Sequence, residues 1–149
     1  MSGLLELREI TRTFTVPDSE PLHILTGVNL SVSPGEHVAI VGRSGTGKST
    51  LLNILGLIDK PTSGHYTLSD TDTSRLGESR RAHLRGQTFG FVFQSFNLIP
   101  GLTTTENVAA PLLYDTGRAF WTRSARAAEL LEAVGLGDKV GSPISRLSG

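Results

Sequence analysis

The chain has 149 residues, which is enough for one domain with a hydrophobic core. Its 14 basic and 14 acidic residues give a formal net charge of zero, which argues against a general polyanion binder. The lack of cysteine excludes disulfides and thiolate metal sites, and the four histidines show no metal-ligand spacing. No apolar run approaches the roughly 20 residues of a membrane helix, and no signal peptide is evident. We therefore expect a cytosolic chain, one still able to dock on a membrane protein.

In the N-terminal half, the sequence predicts three strands, a helix and a further short strand. Residues 4–15 alternate in part between apolar and charged side chains, which indicates a strand, and residues 24–32 form a second one. Residues 37–41 form a short run that is mostly apolar and rich in β-branched side chains, as in a strand that is buried on both faces. Helical spacing of leucine and isoleucine then predicts a helix over 48–57, and a short strand is expected over 65–69.

The C-terminal half is predicted to contain one further strand and several helices. A short helix is expected over 79–85, and the aromatic run 88–94 predicts a strand. Thr103 and Glu106 fit a capping box, so we expect a helix that starts there and continues over 107–114, where it accommodates its proline or is kinked by it. Residues 123–134 form the clearest amphipathic pattern, and Gly135 is the expected C′ residue of that helix.

The most informative motif lies between the strand predicted at 37–41 and the helix that follows. It fits Gly-x-x-x-x-Gly-Lys-Ser/Thr, the phosphate-binding P-loop, or Walker A. Glycines let the backbone curl so that N–H groups converge on phosphate oxygens, and the helix N-terminus adds its positive dipole end. A glycine-rich loop with an incidental lysine is the alternative interpretation, and the flanking strand and helix argue against it. The residues of the motif are Gly42, Arg43, Ser44, Gly45, Thr46, Gly47, Lys48, Ser49 and Thr50.

The motif also predicts roles for its two polar residues at the start of the helix. The Lys48 ammonium is expected to reach the β- and γ-phosphates of a nucleotide, and the Ser49 hydroxyl to bind Mg²⁺. Both ATP and Mg²⁺ are therefore predicted ligands. The motif alone leaves open kinases, GTPases, helicases and transport ATPases.

Further stretches resemble the ATP-binding cassette (ABC) family of ATPases over nearly the whole chain. They are residues 13–14, 42–53, 60–64, 93–100 and 145–149, the last being the opening of the Leu-Ser-Gly-Gly-Gln signature. Residues 93–100 and 104–108 resemble the macrolide-export and lipoprotein-releasing branch in particular. The resemblance implies an α/β fold: a P-loop core with a parallel sheet, a small antiparallel β subdomain and a helical subdomain. It implies a division into 1–94 (core and antiparallel subdomain) and 95–149 (helical subdomain).

The resemblance assigns further site residues. Phe14 corresponds to the aromatic residue that stacks on adenine, although a core aromatic at a strand end is the alternative. Gln94 corresponds to the Q-loop glutamine, which contacts Mg²⁺ or the attacking water. Lys48 and Gln94 are thus the two residues for which a catalytic role is implied. The alternative for Gln94 is a solvated loop glutamine. Ser148 and Gly149 correspond to signature residues that contact the nucleotide held by a second ATP-binding subunit, so a homodimer is implied.

A membrane permease is the other implied partner, with the chain on the inner face of the cell membrane. Residues 95–106 resemble the surface that meets such a permease, and the alternative for their apolar side chains is ordinary core. A loose group of arginines is interpreted as a solvated face rather than a nucleic-acid site, since acidic residues lie close by. These arginines are Arg75, Arg80, Arg81 and Arg85.

The resemblance also marks what the sequence lacks. In the family, the signature is followed by the Walker B aspartate with its catalytic glutamate, the D-loop and the switch histidine. None of these occurs in this sequence. We therefore expect a fragment that ends inside the signature, with weak ATP binding and negligible turnover by itself. The leading hypothesis is the ATP-hydrolysing subunit of an ABC exporter. The alternatives are a soluble ABC ATPase that acts on DNA or the ribosome, and a non-catalytic nucleotide-binding module.

Overall fold

The computed structural model describes residues 4–95, 97–114 and 117–147, which form two compact units, one up to Phe91 and one from Val92. The first unit contains β1 (Leu5–Phe14), β2 (Leu22–Val32), α1 (Lys48–Leu55), β3 (Ser63–Leu68), β4 (Thr71–Asp72) and α2 (Glu78–Thr88). The second contains α3 (Thr104–Ala109) and α4 (Arg118–Ala133). Short 3-10 turns cover Thr73–Arg75, Ala110–Tyr114, Gly137–Lys139 and Ile144–Arg146. None of the helices within these ranges is long and apolar enough to cross a membrane.

One antiparallel sheet organises the first unit, with the strand order β2-β1-β3-β4. Its inner face packs on α1 around a shared core. Tyr66 is buried in that core and its hydroxyl donates a hydrogen bond to the carbonyl of Leu55 at 2.7 Å, which ties β3 to the end of α1. Burial raises the pKa of the Tyr66 hydroxyl above its ordinary value. The buried core residues of this unit are Leu7, Ile10, Leu25, Leu51, Ile54, Leu57, Tyr66 and Leu68.

Two predicted strands are wrong as strands within the described residues. Residues 37–41 and 89–93 belong to no strand of the sheet, and Thr88 instead ends α2, where the Phe89 N–H bonds to the Arg85 carbonyl. Val41 is 87% exposed and Val92 fully so. An apolar, β-branched run indicates that a segment suits a buried strand, but a strand also needs a hydrogen-bonding neighbour. The described ranges contain only antiparallel pairs, so the predicted parallel sheet is not among them.

Two arginines of α2 donate hydrogen bonds to backbone carbonyls of the segment that follows α1. Leu57 adopts a left-handed conformation (φ 57°) although it is fully buried, and its carbonyl accepts hydrogen bonds from Arg81 at 3.2 Å and Arg85 at 2.8 Å. Arg81 also donates to the carbonyl of Asp59 at 2.7 Å and is only 2% exposed. The interpretation of the arginine group as a solvated face is therefore wrong for Arg81, because its position on α2 turns it inward onto carbonyls of the segment that follows α1.

Arg81→Met is expected to lower the free energy of unfolding by about 2–4 kcal/mol, because buried carbonyls of Leu57 and Asp59 lose a charged donor. Chemical denaturation followed by circular dichroism measures the effect. Arg80→Met is the matched control, since Arg80 is exposed on the same helix and should change stability by less than about 0.5 kcal/mol. Equal effects of the two substitutions would contradict the assigned role of Arg81.

The second unit confirms the capping box and the end of the amphipathic helix. Thr103 Oγ1 accepts a hydrogen bond from the Glu106 N–H at 3.2 Å, and the Glu106 carboxylate accepts one from the Thr103 N–H at 2.7 Å. The helix starts at this cap, as predicted, but the part predicted over 107–114 becomes a 3-10 turn at Ala110, next to Pro111. α4 ends in a Schellman motif with Gly135 at φ 78°, as the sequence predicts.

Thr103→Ala is expected to destabilise the second unit by about 1 kcal/mol through loss of the N-cap. Hydrogen bonds from the backbone and side chain of Thr103 hold the pKa of Glu106 below its ordinary value. The resulting stabilisation is present above the ordinary pKa of glutamate and is lost as the pH falls through the lowered value. Thermal melts from pH 7 to pH 3 should therefore show less acid sensitivity in the variant. Ser124→Ala, at an exposed site on α4, is the control and should leave the acid sensitivity unchanged.

Candidate phosphate-binding site

An open depression of about 530 Å³ lies at the N-terminal end of α1. Its lining brings together most of the predicted motif with one residue of β2. The lining residues are Ile24, Ser44, Gly45, Gly47, Lys48, Ser49 and Thr50. Gly42, Arg43 and Thr46 belong to the same loop, because the Thr46 hydroxyl and the Lys48 ammonium bond back to its first carbonyls. The structure thus collects the residues from 42 to 50 at one place.

The Lys48 ammonium lies across the base of this loop. Its Nζ donates to the carbonyl of Gly42 at 2.8 Å and to that of Arg43 at 2.5 Å. An ammonium group has three donors and no acceptor, so two donors brace the loop and a third is left. The side chain therefore both fixes the curvature of the loop and carries a positive charge into it.

The start of α1 leaves its backbone donors available. Gly47 is the N-cap residue, in the left-handed conformation at φ 86°, and it has no side chain that could bond to the N–H groups of the first turn. The first intrahelical bond runs from the Leu51 N–H to the Gly47 carbonyl at 2.8 Å. The N–H groups before Leu51 therefore face the depression together with the positive end of the helix dipole, which suits an anion.

Gly47 is also required by close packing against β2. A Cβ atom at this position would lie 2.9 Å from a methyl carbon of Leu25 and 3.0 Å from the carbonyl oxygen of Ile24. Ile24 is the extra residue of a β-bulge, since Leu25 pairs with Arg12 and His23 pairs with Thr13. The bulge places Ile24 in the lining of the depression, a role that alternating hydrophobicity in β2 does not reveal.

Ser49 lies in the first turn of α1 and is exposed at the depression. No cluster of three or more acidic, histidine or cysteine side chains that could hold a metal by itself occurs in the described ranges. A hydroxyl oxygen is nevertheless the hard donor that Mg²⁺ accepts when phosphates and water supply the remaining ligands. The site therefore fits Mg²⁺ as a companion of a phosphate group.

Phe14 ends β1 close to this depression. It pairs with Leu22 of β2, two residues from Ile24, which corresponds to about 7 Å along a strand. Its side chain is 38% exposed, and the guanidinium of Arg12 lies 4.2 Å from the centre of its ring. The ring is thus partly open to solvent, on the strand pair that also supplies Ile24 to the lining of the depression.

The remaining predicted site residues belong to the second unit or lie outside the described residues. Gln94 is exposed in the unit that begins at Val92. Ser148 and Gly149 are outside the residues that the structure describes. The predicted roles of these three residues, like that of Phe14, stay predictions.

Asn107 is a structural residue of the second unit that sequence reasoning missed. Its side chain bonds to the N–H of Ile99 at 2.7 Å and to the carbonyls of Leu102 and Thr103 at 3.4 and 3.0 Å. It thereby fixes the loop that follows Gln94, in which Ile99 is exposed. Asparagine near a helix start is a common loop-organising residue, but its partners cannot be read from sequence.

The sequence matches a protein-family model over most of its length. The family model described as ABC transporter matches residues 25–149. The chain belongs to the ABC transporter family. The loop around Lys48 lies within the matched range, and the predicted resemblance is confirmed.

Curated relatives of the chain are export proteins. It is 47% identical over 146 residues to the macrolide export ATP-binding/permease protein MacB of Marinobacter nauticus, and 47% identical to the pyoverdine export ATP-binding/permease protein PvdT of Pseudomonas savastanoi pv. phaseolicola. Each match covers 98% of this chain and 22% of the relative, so the chain spans about a fifth of the relatives' length.

Solved structures confirm the fold class. The ATP-binding cassette MJ0796, in a dimeric post-hydrolysis state bound to ADP and Pi, matches with a TM-score of 0.85 and 39% identity. The match covers 97% of this chain and 63% of that cassette. The predicted α/β class is therefore correct as an ABC cassette, whereas the parallel strands are not formed by the described residues.

Proposed function

We propose that this chain binds ATP with Mg²⁺ and serves as the ATP-hydrolysing part of an ABC exporter. The observation that carries the proposal is the geometry at the N-terminus of α1. There the N–H groups before Leu51 have no side-chain cap, and the Lys48 ammonium keeps one donor beyond the two that brace the loop. Membership of the ABC transporter family and the ADP and Pi bound to the related cassette MJ0796 support a nucleotide as the ligand of this site.

Each residue at the site has a proposed role in this binding. The backbone from Gly42 to Thr50 holds the phosphates, and Lys48 contacts the β- and γ-phosphates. The Ser49 hydroxyl and the Gln94 amide are the protein's ligands to Mg²⁺, which neutralises charge on the phosphates when it is bound. Phe14 offers its ring to the adenine base.

The relatives support a proposed assembly. MacB and PvdT are ATP-binding/permease proteins and MJ0796 is dimeric. We infer that this chain acts with a permease at the inner face of the cell membrane and pairs with a second copy of itself. In such a pair, Ser148 and Gly149 of one copy contact the nucleotide on the other. The exposed loop around Ile99 is the proposed contact with the permease.

Isothermal titration calorimetry with ATP and Mg²⁺ tests the proposal. We expect saturable binding of ATP, weaker binding of ADP, and none of adenosine, because phosphate contacts dominate the site. Equal binding of adenosine and ATP would contradict the assignment of the depression to phosphates, and so would the absence of any saturable heat with ATP.

A further inference from the structure

One face of the Phe14 ring is already occupied within the chain. The Cζ atom of Arg12 lies 4.2 Å from the ring centroid, which is the geometry of a cation–π contact. Arg12 and Phe14 are two residues apart on β1, so their side chains stand on the same side of the strand. Phe14 nevertheless remains 38% exposed. The ring is therefore covered on one face and still presents aromatic surface to solvent.

Arg12 is itself held in place from behind. Its Nε and Nη2 atoms donate to the two carboxylate oxygens of Asp59 at 2.8 and 2.9 Å, a bidentate pair. About three quarters of each side chain is shielded from solvent. Asp59 is fixed in turn, because its carboxylate also accepts the Lys60 N–H and its carbonyl accepts from Arg81. The guanidinium is therefore supported by the segment that follows α1.

The backbone at the end of β1 is anchored to the same segment. The Thr13 N–H donates to the Thr62 hydroxyl at 3.0 Å, and the Thr62 N–H donates to the Thr11 carbonyl at 2.8 Å. Thr13 lies between the two residues of the cation–π pair. Both the backbone and one ring face of Phe14 are thus fixed relative to the loop after α1, the helix whose N-terminus forms the phosphate site.

We propose that Arg12 is a positioning residue for base recognition: with Asp59 it holds the Phe14 ring so that the opposite face receives the adenine of a bound nucleotide. The inference rests on the proposed ATP binding and names a determinant of it that the P-loop does not contain. A ring held by a charged neighbour loses less side-chain freedom when a base stacks on it, so more of the stacking energy contributes to affinity.

The test compares ATP with inorganic triphosphate, a probe that has the phosphates and no base. Calorimetry on the chain should show that Arg12→Met weakens ATP–Mg²⁺ binding about two- to five-fold. Inorganic triphosphate binding should not change. Arg8→Met is the matched control, because Arg8 lies on the same strand and pairs with Glu6 at 2.8 Å. It removes the same charge and should leave both affinities unchanged.

A double-mutant comparison separates positioning from general stability. In a Phe14→Leu background, Arg12→Met should have no further effect on ATP binding, since the ring through which it acts is gone. Asp59→Asn should weaken ATP binding less than Arg12→Met does and leave inorganic triphosphate binding unchanged. This variant replaces Arg12→Met in the test if Arg12→Met does not fold. Equal losses for ATP and inorganic triphosphate, or tighter ATP binding, would overturn the inference. If the unsubstituted chain binds neither ligand, the proposed function itself is refuted.

Discussion

Lys48→Ala is expected to weaken ATP–Mg²⁺ binding by at least about 100-fold. The substitution removes two hydrogen bonds that brace the loop, to the Gly42 and Arg43 carbonyls, and the donor that is left for a phosphate. Hydrogen bonds from charged donors contribute roughly 1.5–3 kcal/mol each, and 1.4 kcal/mol corresponds to a tenfold change in affinity. Competition with a fluorescent ATP analogue measures the loss over this range.

Lys60→Ala is the matched control for this prediction. Lys60 is half exposed and its ammonium lies 3.7 Å from the Glu78 carboxylate, a surface pair that contributes little. The control removes the same charge from the same unit without touching the loop. If both lysine variants bound ATP equally well, nonspecific charge rather than the loop would account for the affinity.

Gly47→Ala is expected to damage both folding and binding. The residue has φ 86°, and a Cβ atom would approach Leu25 and the Ile24 carbonyl within about 3 Å. Left-handed strain of about 1–2 kcal/mol and overpacking of about 1–3 kcal/mol both oppose the substitution. We expect a loss of about 2–5 kcal/mol in the free energy of unfolding. The binding of ATP should be lost as well, since the loop has to shift to relieve the contact.

Gly45→Ala separates these two contributions. Gly45 has a similar backbone angle, φ 80°, but no atom lies within 4 Å of an added Cβ. Only the left-handed strain should therefore destabilise this variant, and urea denaturation should show a loss of about 1–2 kcal/mol in the free energy of unfolding. An equal loss in the two variants would show that the contact with β2 does not matter. A stable Gly47 variant with unchanged ATP affinity would contradict the packing argument altogether.

The sequence signal for the P-loop is local. The spacing of Gly42, Gly47 and Lys48 sets the turn, the N-terminus of the helix and the charge within nine residues, and these residues lie together in the structure. The capping box at Thr103 and the end of α4 at Gly135 are local in the same sense. Each of these features depends on neighbours that the sequence itself displays.

Features that depend on distant partners could not be predicted. Residues 37–41 have the composition of a strand but belong to no sheet within the described chain. Arg81 looks like its exposed neighbour Arg80, and only packing shows that it closes the end of α1. The bulge at Ile24 likewise arises from a shift in register between two strands, which hydrophobic alternation does not encode.

Backbone NMR of the chain with ATP and Mg²⁺ tests the central claim most directly, because the claim concerns specific N–H groups. We predict that the amide resonances from Gly45 to Thr50 shift most on titration, followed by residues around Phe14. Amides of the sheet edge at β4 should stay in place. Saturable shifts confined to other regions, with the amides at the start of α1 unmoved, would contradict phosphate binding by this loop.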